Sequence, residues 1–166
     1  MVLGCAVFAD RGRIAKRVEQ WLVAAAALAL MLWTVRDGAR ADAPPGRYTV
    51  PGDGTVKDNQ TGLVWKRNEE PGLHDWAGAK AQCVSPWRLP RIQELATIVD
   101  ITKISSPYID ATAFQGAASG SAPTSGFLWS SSPAALSSGR AWYVGFDAGQ
   151  VGDLATSSSG GVRCVR

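Results

Sequence analysis

With 166 residues and a formal net charge of +3, the chain has room for one domain of ordinary size and a short appendage. Residues 1–41 hold six of the 17 Lys/Arg and three of the 14 Asp/Glu, so residues 42–166 carry eleven of each sign and are formally neutral. That balance excludes a broad basic field for nucleic acid, leaves room for a local patch, and assigns the sequence pI near 8.9 largely to the first 41 residues.

The appendage comes first. A basic stretch, "RGRIAKR", precedes "WLVAAAALALMLWTV" at 21–35, and Ala39-Arg40-Ala41 fits the small-x-small rule for cleavage before Asp42. This order describes an export signal over 1–41. A retained membrane anchor is the alternative, against which the 15-residue apolar run falls short of the roughly 20 residues needed to span a bilayer. The expected location is therefore periplasmic or extracellular, or anchored through 21–35. "VLGC" at 2–5 mimics a lipidation box, but no apolar core precedes it.

Residues 42–46 read as a linker, with consecutive prolines that refuse a helix. In the domain expected over 47–166, Tyr48, Val50, Val56, Leu63 and Trp65 fall in short runs separated by Pro-Gly-Asp-Gly and Asn-Gln-Thr-Gly, the punctuation of antiparallel strands. Asn59-Gln60-Thr61 is formally a glycosylation sequon, and its preferred reading is a turn. The period then changes. Asp75 can cap a helix in which Trp76, Ala79 and Cys83 share a face, and a second helix begins at Pro90, taken as its first residue, with Ile92, Leu95, Ile98 and Val99 as one stripe. Residues 100–126 lose periodicity in a Ser/Gly/Ala-rich stretch of the length that marks function or mobility. Strands return in "FLWSSSP", "RAWYVGFD" and "VGDLAT", with "DAGQ" as a turn and "GGVRCVR" closing the chain.

Once 1–41 is set aside, Cys83 and Cys164 remain. Two cysteines in an exported domain make most simply one disulfide, since a metal site would want more soft ligands.

The motifs "DGTVKDNQTGLVWKR", "DWAGAKAQC", "WRLPRIQEL", "YIDATAF", "LWSSSP", "AWYVGFDAG" and "VRCVR" stand in this order over roughly 47–166. Together they resemble the DUF1566 family, also named for the C-terminal domain of the Legionella collagen-like adhesin. That family is similar to the formylglycine-generating-enzyme branch of the C-type lectin-like fold. The resemblance implies an α+β domain: two helices around a small twisted antiparallel sheet, long irregular loops, and a clamp from the first helix to the last strand that agrees with a Cys83–Cys164 pair.

Catalytic tools are sparse. His74 is the only histidine and precedes a helix cap, where a turn role is the expectation; no nucleophile elbow marks a serine, and the acidic residues show no metal-ligand or EF-hand spacing. The reactive cysteine pair of formylglycine-generating enzymes is not carried over, because the clamp would consume both cysteines. No catalytic residue, cofactor or metal is therefore expected. Of the tryptophans Trp65, Trp76, Trp87, Trp129 and Trp142, the first, second and last sit in apolar stripes and read as core. Candidate binding residues are Tyr143 and Asp147, opposite in parity to that stripe, and Tyr108 and Asp110 in the loops. Trp87, Arg88, Leu89 and Pro90 read as a structural junction in which Arg88 makes a polar contact. The function expected is an exported, non-catalytic binding module for glycans or a cell-surface protein, and the neutral charge of 42–166 argues against transferring a preference for sulfated glycans. An envelope assembly domain without a small-molecule ligand is the alternative, and a hydrolase is a distant third.

Overall fold

The structure, a computed structural model, describes residues 43–116 and 126–166. The expectations placed on 1–41, and the part of the irregular stretch at 117–125, lie outside those residues. Arg47 N donates to the Pro44 carbonyl at 3.0 Å in a turn that precedes the first strand.

Where one sheet was expected, there are two. Strands β1 (Tyr48–Thr49), β2 (Thr55–Asp58) and β3 (Val64–Lys66) form an antiparallel sheet in sequence order. Strands β4 (Phe127–Pro133), β5 (Arg140–Gly145) and β6 (Gln150–Ala155) form a second, also antiparallel and in order, with a register shift between Trp129 and Pro133. Gly149, at φ +65°, makes the β5–β6 turn that "DAGQ" announced. Between the sheets in sequence come helices α1 (Trp76–Gln82) and α2 (Ile92–Ala96).

Both helices are short, and side chains start them. Asp75 caps α1 by accepting from Gly78 N at 2.7 Å. α2 starts two residues later than the proline rule predicts. Arg91, in extended conformation, is the N-cap; Glu94 turns back to accept Arg91 N at 2.8 Å; and Pro90 lies just outside, its carbonyl taking Ser131 N at 2.7 Å. Ile98 and Val99 pack with Leu95 from beyond the helix end.

The second sheet buries residues on both faces, because successive strand residues point opposite ways. Leu128 and Val144 join Val56, Trp65, Leu95, Ile109, Phe114 and Phe146 in one cluster. Trp129 and Ala141 join Ala79, Leu89, Val162 and the Cys83–Cys164 disulfide in a second. The terminal segment threads between them. Val162 and Cys164 face the second cluster and Val165 the first, and Val165 pairs with both Trp65 and Arg88. The 2.03 Å Cys83–Cys164 bond closes α1 onto this segment, as the two-cysteine reading required.

Burial corrects the tryptophans. Trp65 and Trp129 are fully enclosed. Trp76 and Trp87 are half-buried against the second cluster, and half-buried Trp142 belongs to neither. Among the described residues no helix is long and apolar enough to cross a membrane.

Candidate functional site

Packed on the second cluster is a surface where cations cover indole rings. The Lys80 ammonium sits 3.4 Å from the centre of the Trp76 ring, one helical turn away on α1. Trp87 is flanked by the Arg166 guanidinium at 4.7 Å and the Lys66 ammonium at 5.7 Å. Beside them opens a groove of about 320 Å³ lined by Lys80, Cys83, Arg88, Leu89, Arg91 and Ser131. Its rim is basic and its wall is apolar.

Local structure fixes each group. Arg88 exchanges two backbone bonds with Val165, each 2.9 Å, and its guanidinium makes a bidentate pair with Glu94, both contacts 2.7 Å. These bonds hold the Glu94 carboxyl below its ordinary range and raise Arg88. Arg88, in the junction at 87–90, thus makes a polar contact with Glu94. Lys66 pairs with Glu70 at 2.5 Å, so its charge is shared between a carboxylate and the Trp87 ring.

The four residues singled out from sequence lie elsewhere. Tyr108 donates its backbone N–H to the Phe146 carbonyl at 2.7 Å, and its ring lies against Gly149; Asp147 is exposed in the same turn. Asp110 is buried, and its Oδ1 accepts from Thr112 N, Thr112 Oγ1 and Ala113 N, so its carboxylate organises a turn. Tyr143 packs on Phe127 at 4.9 Å and lies over Gly152 within the second cluster. The structure thus gathers Tyr108, Asp110 and Asp147 beside the first cluster and leaves Tyr143 apart. His74 Nε2 bonds to the Pro71 carbonyl at 2.9 Å, and the buried Ser130 hydroxyl donates to the Trp142 carbonyl at 2.7 Å. Asn59 spends its amide on Gly46 O and Thr49 Oγ1, both 2.9 Å, as a turn residue does. Among the described residues no group of three or more His, Cys, Asp or Glu could hold a metal ion.

The sequence carried one sign of this surface: Trp76 and Lys80 stand four apart on a predicted helix. The flanking of Trp87 by Lys66 and Arg166 has no such sign, since it unites residues far apart in the chain.

Comparison with known proteins bears on what this surface serves. The family described as "Lcl C-terminal domain" matches residues 54–166. The chain belongs to that family. The match begins just before β2 and runs through the terminal segment, so it takes in both helices, both cysteines and every residue of the groove in this Lcl C-terminal domain. No curated protein matches the chain.

Proposed function

We propose that this Lcl C-terminal domain is an exported, non-catalytic binding module with a C-type lectin-like frame, and that it takes acidic glycans on the surface built from Trp76, Lys80, Trp87 and Arg166. The carrying observation is the pairing of half-buried indoles with cations beside an open basic groove. An indole face stacks on a sugar ring, and a neighbouring cation meets a carboxylate or sulfate. Export is supported by the disulfide and by the leader-like pattern of 1–41. The bonds that occupy His74 and Ser130 support binding over hydrolysis.

A glycan array followed by titration with dextran sulfate tests the proposal. The expected result is binding to acidic glycans that weakens about tenfold in Trp87→Ala, the scale of one lost stacking and cation–π contact. An array without binding at high protein concentration overturns it. The second reading, an envelope assembly domain, is favoured by Ile101 and Ile104, which are 86% and 95% exposed and fit a protein contact. A pull-down from native envelopes that yields no stable partner removes it.

A further inference from the structure

The two sulfurs of the disulfide lie in unlike surroundings. Cys83, at the end of α1, is 8% exposed and lines the basic groove. Cys164 is fully buried, and its Sγ lies 3.3 Å from Glu70 Oε1, the same oxygen that meets the Lys66 ammonium. A disulfide sulfur has no hydrogen to offer that carboxylate, whereas a thiol has one. The surroundings of Cys164 therefore suit the thiol better than the oxidised form.

We infer that the disulfide is opened through the groove by a small anionic thiol of the glutathione class, and that this regulates the binding surface proposed above, on which the regulatory part rests. The incoming thiolate attacks Cys83 Sγ, because Cys164 is out of reach. A new bond forms between the incoming sulfur and Cys83 as the Cys83–Cys164 bond breaks. The electron pair leaves on Cys164, which takes up one proton and donates it in a hydrogen bond to Glu70 Oε1. One thiol is consumed and one is formed, so the exchange needs no further oxidant or reductant. The groove complements such a thiol: Lys80 and Arg91 line it with positive charge for the carboxylates, and Leu89 offers an apolar wall.

Opening the bond reaches the binding surface through the chain. A seven-residue helix is too short to persist unaided, and the disulfide ties the end of α1 to the segment that carries Val165 and Arg166. Val165 holds Arg88, and Arg166 covers Trp87. Trp76 keeps its indole bond to the Ser130 carbonyl at 2.7 Å, so exchange at Cys83 loosens the far end of α1, with Lys80, from the segment that carries Arg166.

The test incubates the oxidised full chain with glutathione or with uncharged 2-mercaptoethanol, maps adducts by mass spectrometry, and follows folding by circular dichroism. The expected adduct is on Cys83 in folded protein. Lys80→Gln slows reaction with glutathione several-fold while leaving the 2-mercaptoethanol rate within about twofold, as attraction for an anion requires. Glu70→Gln lowers the opened fraction at equilibrium about tenfold, the difference between a charged and a neutral acceptor. An adduct on Cys164, adducts only after unfolding, equal effects of Lys80→Gln on both thiols, or no effect of Glu70→Gln overturns the exchange. Dextran sulfate affinity should fall on opening and return on reoxidation, and unchanged affinity overturns the regulation. If the oxidised chain binds no dextran sulfate, the glycan proposal and the regulation fail together, while adduct mapping still decides the exchange.

Discussion

Arg163 is fully buried in the terminal segment, yet it keeps its charge at neutral pH. Burial pulls its pKa down to about 10, and Glu69 opposes that pull. Its Nη atoms reach the carbonyls of Lys66, Arg67 and Gln115, and Glu69 lies 3.3 Å away. One side chain thus ties the terminal segment to the loop after β3 and to Gln115. Arg163→Ala is expected to cost about 3–5 kcal/mol, because it removes a buried cation together with its ion pair to Glu69 and its bonds to three carbonyls, and a urea titration measures the loss. Arg88–Glu94 belongs to another class. Its Arg88 side chain is 46% exposed, so solvent screening holds the pair to at most about 1 kcal/mol. The Glu94 carboxyl is held below its ordinary 4.5, chiefly by its hydrogen bonds to Arg88. The unfolded chain takes up that proton more readily. The contribution is therefore complete above about pH 4.5 and is lost as pH falls through the lower folded value. Thermal melts should show the wild type losing more stability than Glu94→Gln over that acid window.

The helices show how far periodicity carries at the scale of elements. Asp75, Trp76, Ala79 and Cys83 made α1 legible, because a cap and a 3.6-residue stripe are local properties. Reading Pro90 as the first residue of α2 sets it two positions too far in. Its missing N–H permits the first helical position, but Glu94 reaches back to Arg91, and that choice depends on where Ser131 lies. The tryptophans divide for a similar reason. Trp142 alternates correctly with its neighbours, but β5 buries residues on both faces, so parity could not say which face stays open. Among the described glycines, Gly160 is the most closely approached. A Cβ there would lie 2.3 Å from Phe127 Cε2 and 2.8 Å from the Trp129 indole nitrogen. Gly160→Ala should cost about 1–3 kcal/mol through overpacking, read by chemical denaturation and by a changed near-ultraviolet signal from Trp129.

At the scale of the whole molecule, the neutrality of residues 42–166 conceals a division of charge. Lys80 and Arg91 line a groove at the second cluster, beside the paired Arg88 and Glu94, while Asp100, Asp110 and Asp147 lie on segments that pack with the first. Glycan binding at the basic surface should therefore weaken steeply between low and physiological salt, as the Debye length shrinks to about 8 Å. Titrations at two ionic strengths decide this, and a salt-independent affinity would contradict an electrostatic surface. The sequence by itself determined the family motifs, the strand and helix types, the Asp75 cap, and the Cys83–Cys164 pair. These depend on near neighbours, or on there being a single way to pair two cysteines. The tertiary structure alone decided that the sheet divides in two, that Trp65 and Trp129 are the enclosed indoles, and that Lys66 and Arg166 meet over Trp87. Such facts depend on which distant segments share a volume, and the terminal segment sets that sharing by running between the two clusters.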